Sequence, residues 1–262
     1  MKKHIQIFFF MLFLSLLAQA QNSLFQKKEF IFNRDTLRYR VLFPDNYDKS
    51  KTYPFVIFLH GSGERGNDNE KQLIHGASLF ADSINRADYP AIVLFPQCPE
   101  NQSWVTLNIK PDEKFDMINT INPTKPLELV KRLIDFYQKT EAVNSKRIYI
   151  LGLSMGGMGT FDLICRYPKT FAAAISICGA VNVERLIKVR QMPIRIYNGD
   201  SDNVVSREYS RNAYIKLKAN GSDKVEHIEF SGIGHDSWTP AFAESDFLKW
   251  LFAQSKYRTD NL

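Results

Sequence analysis

The sequence predicts an α/β protein in which helices cover both faces of a mostly parallel, eight-stranded sheet. Three observations point there. Strand-like runs and helical patterns alternate along the chain, which favours parallel strands joined by right-handed crossovers. Several later runs, such as Phe55–Leu59 and Ala91–Phe95, are continuously apolar, as strands buried on both sides must be. A hydrophobic share of 44% and a charged share of 24% in 262 residues describe an ordinary globular chain, long enough for one sizeable core.

Residues 1–20 stand apart from that domain. Lys2, Lys3 and His4 make a basic start, Ile5 to Leu17 is apolar except for Gln6 and Ser15, and Ala18-Gln19-Ala20 places small residues around a cleavage point. This is the pattern of a signal peptide. Its apolar run is short for a bilayer span, and no Cys follows it to carry a lipid. The expectation is an exported protein, periplasmic or secreted, with no stable membrane anchor and a single domain over residues 21–262. Setting aside Lys2 and Lys3 lowers the formal charge from +6 to about +4, too small and too dispersed to predict a nucleic-acid partner. Cys98, Cys165 and Cys178 are odd in number, and the last two have apolar neighbours, so buried free thiols are expected and not a disulfide scaffold. No metal-ligand spacing occurs among Cys and His, and neither metal nor cofactor is expected. Nothing in the sequence speaks to oligomeric state.

Taken in order, Glu29–Phe32 and Leu37–Phe43 alternate like an edge hairpin, with Asn33-Arg34-Asp35 at the turn. Strands follow at Phe55–Leu59, Ala91–Phe95, Arg147–Leu151, Phe171–Ile177, Ile194–Tyr197 and Val225–Phe230. Helical patterns lie near 69–82, 124–140, 154–166, 183–190, 206–219 and 240–252. The stretch from Pro96 to Pro123 is irregular, proline-rich and leaves a strand at its carboxyl end, where open α/β sheets bind ligands. It is expected to form a wall of the substrate cleft, or else a plain surface excursion.

The chemistry concentrates at Gly152-Leu153-Ser154-Met155-Gly156, between the strand ending at Leu151 and a helical stretch stopped by Pro168. Strand, sharp turn with Ser at its apex, then helix is the layout of a nucleophile elbow. Gly152 and Gly156 leave room for close strand–helix packing, and the helix start aims free N–H groups at the reacting oxygen. Eight strands with such a turn after the fifth match the α/β-hydrolase order, and the G-x-G-x-x-G of a dinucleotide-binding sheet is absent after the first strand.

A serine hydroxyl needs a base with a pKa near the working pH, which favours His. Downstream of Ser154 the histidines are His227, inside a strand pattern, and His235, between loop residues at a strand's carboxyl end. His235 is the expected base. Asp200 and Asp202 compete for the acid. Asp200 could bond turn amides, and Asp202 has the better reach towards His235. The loop His60-Gly61-Ser62-Gly63-Glu64-Arg65-Gly66 follows the third strand, so the oxyanion donors are expected to be the N–H groups of Met155 and Ser62. His60 reads as a structural hydrogen bonder of that loop, and Glu64 and Arg65 as an ion pair or loop clasp. Trp104 and Trp238 are aromatic candidates for gripping substrate, or else packing residues.

The combination of the 60–66 loop, Pro96-Gln97-Cys98-Pro99 with Trp104, the Ser154 elbow, Asp202 and Gly234-His235-Asp236-Ser237-Trp238 resembles exported bacterial carboxylesterases. These are the phospholipase/carboxylesterase or "predicted peptidase" proteins, similar to the carbohydrate esterases that include feruloyl and acetyl xylan esterases. The resemblance covers nearly all of residues 21–262. It implies a triad of Ser154, Asp202 and His235, with Asp202 and not Asp200 as the acid. It also implies a small-molecule or polysaccharide-linked ester as substrate, with short acyl or hydroxycinnamoyl groups. The same motifs would serve a prolyl-oligopeptidase-type peptidase or a non-catalytic binding protein on this fold.

Overall fold

A computed structural model describes residues 22–109, 115–117 and 120–256; the expected signal peptide lies outside the described residues. In chain order the strands are β1 (Gln26–Phe32), β2 (Asp35–Leu42), β3 (Tyr53–Leu59), β4 (Ile92–Pro96), β5 (Leu107–Ile109), β6 (Phe115–Met117), β7 (Val143–Leu153), β8 (Ala173–Ile177), β9 (Ile194–Gly199) and β10 (Val225–Phe230). Eight of them form one sheet in the order β1-β2-β4-β3-β7-β8-β9-β10. β1 and β2 are the antiparallel hairpin that the alternation predicted, turned through Asn33 and Arg34 at φ 50° and 72°. β2 is also antiparallel to β4, and every neighbour beyond is parallel. This is the α/β-hydrolase fold that the sequence predicts.

The helices are α1 (Ala77–Ala81), α2 (Ser83–Asp88), α3 (Lys125–Thr140), α4 (Met155–Arg166), α5 (Arg207–Ala219), α6 (Trp238–Ala243) and α7 (Phe247–Ala253). Alternate residues of β3 show how both sheet faces are used. Phe55, Ile57 and Leu59 join the core beneath α3, α4 and α5, while Val56 and Phe58 join the core beneath α1, α6 and α7. α3 is amphipathic and buries Leu129, Val130, Leu133, Ile134 and Tyr137 on one stripe. Each such large apolar side chain contributes about 2 kcal/mol by leaving water.

Three helical expectations are refined. The 69–82 pattern is broken at Gly76, whose φ of 80° and close approach to the Phe58 ring leave no room for a side chain, so α1 starts anew there. Residues 183–189 form a 3-10 helix. The 240–252 pattern divides into α6 and α7, which lets Phe242 and Phe247 pack edge to face at 5.5 Å.

The elbow is built as the glycines suggested. A Cβ on Gly156 would stand 1.9 Å from the carbonyl oxygen of Leu59, and one on Gly152 would stand 2.4 Å from that of Gly156. Backbone on backbone cannot yield cheaply. Gly156→Ala is therefore expected to destabilise the fold by about 3 kcal/mol or more, whereas Gly63→Ala, whose Cβ meets nothing within 4 Å, should stay within about 0.5 kcal/mol. Urea unfolding of the two variants beside the wild type checks the contrast.

Candidate active site

β7 runs into Ser154, which caps α4 at φ 52° and ψ −119°, a region that side chains rarely adopt. Its N–H is tied to the Ile177 carbonyl at 2.8 Å, so the end of β8 holds the turn in this conformation. The Ser154 hydroxyl lies 2.9 Å from His235 Nε2, and His235 Nδ1 lies 2.8 Å from Asp202 Oδ2. An ionised carboxylate only accepts hydrogen bonds, so Nδ1–H donates to Asp202, and Nε2 is left to accept from the hydroxyl.

Asp202 is well suited to hold that tautomer. Burial pushes its carboxyl up, but the His235 hydrogen bond and the N–H groups of Val205 and Val204 outweigh this and keep it below the usual carboxylate range. Those two N–H groups donate to Oδ1 at 2.9 and 2.8 Å, leaving Oδ2 free for the imidazole. Asp200 faces elsewhere. Its Oδ1 accepts from Gly232 N–H at 2.7 Å, which staples the loop carrying His235 to the loop carrying Asp202. Ser201 N–H adds a bond to the Ile233 carbonyl at 2.9 Å. Gly199 makes the approach of the two loops possible, since a Cβ there would stand 2.1 Å from that same carbonyl oxygen.

The loop after β3 passes directly beside the elbow: a Cβ on Gly61 would stand 3.6 Å from Ser154 Cβ. A buried network fixes it. His60 Nδ1–H donates to the Gly61 carbonyl at 2.6 Å, and Nε2 accepts from Cys98 N–H at 2.9 Å. The Trp104 indole N–H donates to the His60 carbonyl at 3.0 Å. Arg65 clasps the loop by donating to the carbonyls of Ser62 and Gln102, while Glu64 faces His75 and not Arg65. The loop is thus held with Ser62 at its turn, directly after the Gly61 that approaches Ser154, and Met155 opens α4 directly after Ser154.

Burial pushes the His60 imidazole down from 6.5 to about 4, against a smaller upward pull from its bond to the Gly61 carbonyl. A base whose folded pKa is depressed takes up its proton more readily when unfolded. Stability should therefore fall as pH drops from about 6.5 to about 4, by up to about 3 kcal/mol from this group. His227, also lowered by burial, acts in the same direction. Unfolding free energies at pH 7, 5.5 and 4 should show a shallower decline in His60→Asn, which starts from a lower value at pH 7.

Other expectations meet the structure as follows. Trp104 is fully buried, with Gly159 of α4 against its Cβ, so it packs behind the loop and does not grip substrate as the first of its two readings had it. Trp238 is at the site, edge to face with His235 at 5.6 Å. His227 decorates β10 as expected, bonded to Asn198 and ring to ring with Tyr214. Residues 98–104 lie behind the candidate oxyanion loop, and Thr120 and Ile121 accept from Arg166, whose backbone at the far end of α4 is about 18 Å from Ser154 by helix rise. Residues 98–104 therefore buttress the candidate oxyanion loop from behind, and residues 110–114 and 118–119 lie outside the described residues.

Sequence reading missed His75, whose ring lies tilted 5.1 Å from that of Trp238, and the thiol of Cys178. Cys178, at φ 42° after β8, brings its Sγ within 4.8 Å of donor atoms of Asp202 and His235. All three cysteines are free and buried, and burial pushes each thiol up to about 12. Neither His75 nor Cys178 shares a motif spacing with the triad; only the folded sheet edge brings them there.

The hydrogen-bonded chain Ser154–His235–Asp202 stands on the carboxyl edge of a sheet with the α/β-hydrolase fold. Residues 46–250 match the phospholipase/carboxylesterase family, and the chain belongs to it. It is 28% identical over 200 residues to carboxylesterase SOBER1 of Arabidopsis thaliana, covering 69% of this chain and 82% of that one. Among solved structures it is similar to a thermostable esterase, with TM-score 0.83 and 36% identity over 90% of this chain; it spans 64% of that protein's length. A ferulic acid esterase from Anaeromyces mucronatus shares the fold at TM-score 0.65 and 16% identity, over 86% of this chain and 89% of that one. Among the described residues no helix is long and apolar enough to cross a membrane.

Proposed function

We propose that this protein is an exported serine esterase that cleaves carboxylic esters through an acyl-enzyme. The observation that carries the reading is the unbroken chain Ser154 Oγ–His235–Asp202 at 2.9 and 2.8 Å. Ser154 Oγ attacks the ester carbonyl while its proton passes to His235 Nε2. The carbonyl oxygen takes up the negative charge, held by the N–H groups of Met155 and Ser62. Collapse of this intermediate breaks the bond to the alcohol, which leaves with the proton from His235. A water then loses a proton to His235 and attacks the acyl carbon; the acyl–Oγ bond breaks, His235 returns the proton to Ser154 Oγ, and the carboxylic acid leaves. Each oxyanion donor is worth about 3 kcal/mol in such reactions. Asp202 keeps Nδ1–H oriented and balances the imidazolium that forms.

Family membership supports ester chemistry, and the likeness to ferulic acid and acetylxylan esterases supports short acyl or hydroxycinnamoyl groups on a polysaccharide as substrate. The pattern of residues 1–20 supports export. The test is hydrolysis by residues 21–262 of p-nitrophenyl acetate, p-nitrophenyl butyrate, methyl ferulate and a proline p-nitroanilide. Turnover of esters is expected, and their ranking assigns acetyl or feruloyl preference. Anilide cleavage without ester turnover would replace the reading with a peptidase, and inertness to all four would replace it with a binding protein.

A further inference from the structure

Glu64 is an unusual charge for its position. Its side chain is 11% exposed, yet among the described residues it pairs only with His75, whose Nε2 lies 3.6 Å from Oε1. That separation is too long for a hydrogen bond. The other oxygen, Oε2, lies 3.0 Å from the point where a Cβ on Gly61 would stand, and Ser154 Cβ lies 3.6 Å from that same point. The carboxylate and the nucleophile thus flank one glycine of the candidate oxyanion loop.

His75 and Trp238 extend this patch towards the base. The rings of His75 and Trp238 are 5.1 Å apart, and Trp238 meets His235 edge to face at 88°. His235 hands its proton to the departing alcohol, so groups packed beside it border the alcohol half of the ester and not the acyl half. The Glu64 oxygens have no protein hydrogen-bond donor among the described residues, yet they are not sealed from solvent, so a bound molecule can reach them and donate. The donor must be a neutral hydroxyl or a cation, since an anion would be repelled. The partly buried Trp238 ring beside it favours a carbon skeleton laid against an aromatic surface.

We propose that Glu64, braced by His75, and Trp238 form an alcohol-side subsite selective for polyhydroxylated alcohols. A hydroxyl adjacent to the ester oxygen donates to the Glu64 carboxylate while the ring carbons of the alcohol lie on Trp238. This rests on the esterase reading. It assigns Glu64 to specificity, with no part in moving the reacting proton.

The test holds the acyl group constant and varies the alcohol. One substrate is a monoacetylated methyl pentopyranoside, and the other is cyclohexyl acetate, a six-membered ring without hydroxyls. The wild type should prefer the pyranoside in kcat/KM. Glu64→Met removes the acceptor at similar length and should lower that preference about tenfold or more, chiefly through KM, because a hydrogen bond to a charged group is lost. Glu64→Gln keeps one acceptor oxygen and should fall between, and Trp238→Leu should also lower the ratio. An unchanged ratio in Glu64→Met overturns the subsite, whether both activities fall together or neither does. If the wild type cleaves neither acetate nor p-nitrophenyl acetate, the esterase reading itself fails; wild-type turnover with an unchanged ratio removes the subsite alone.

Discussion

Ser154→Ala is expected to lower kcat/KM for ester hydrolysis by about 10⁴-fold or more and to leave the protein folded. Removing the hydroxyl removes the attacking atom, and residues that act as a unit lose most of their contribution when one of them goes. Alanine is no more strained than serine at φ 52°, because both carry a Cβ and neither gains a clash. The Ser154 N–H bond to the Ile177 carbonyl is a backbone bond and survives. Thermal unfolding should therefore move by less than about 1 kcal/mol. Turnover in the variant within tenfold of wild type would remove Ser154 from the mechanism.

Asp202→Asn is expected to cost about 10³ to 10⁴-fold in kcat. The amide can turn its NH₂ towards His235 Nδ1, which then accepts, and the ring proton moves to Nε2. Nε2 can no longer take the serine proton. The neighbouring Asp200→Asn is the control. Its carbonyl oxygen can still accept from Gly232 N–H, a bond that spans the loops carrying Asp202 and His235 at 2.7 Å, so kcat should fall by less than about threefold. Steady-state rates on one p-nitrophenyl ester separate the two aspartates. Equal losses would mean that the loops matter more than the imidazole tautomer.

Much of this site was legible because it is local in sequence. The elbow needs a strand, two glycines and a helix in fifteen consecutive residues, and Gly156 and Gly152 show the backbone contacts that demand them. His235 follows from chain order, because the histidine after a late strand must lie on the same sheet edge as Ser154. The choice between Asp200 and Asp202 was harder. Two residues in one loop differ only in direction, and direction comes from the Val204 and Val205 N–H groups that turn one carboxylate inward. Composition could not place Trp104 and Trp238 either. Both are tryptophans near the site in sequence motifs, but Gly159 opens a slot in α4 that swallows the first, while the second stands at the start of α6 beside the base. The Glu64–His75 contact joins a loop after β3 to the turn before α1, and no periodicity announces it. Helix breaks at Gly76 and between Ala243 and Phe247 were hidden for a similar reason: the packing of Phe58, Phe242 and Phe247 decides them.

The measurement that bears most directly on an activated Ser154 is labelling by a fluorophosphonate, followed by mass spectrometry of the modified peptide. Only a serine whose proton a neighbouring base can accept reacts quickly with such a reagent. The expected result is rapid, stoichiometric phosphonylation of Ser154 in the wild type, none in Ser154→Ala, and strong slowing in His235→Ala. Absence of label at Ser154, or labelling at an undiminished rate without His235, would contradict the triad.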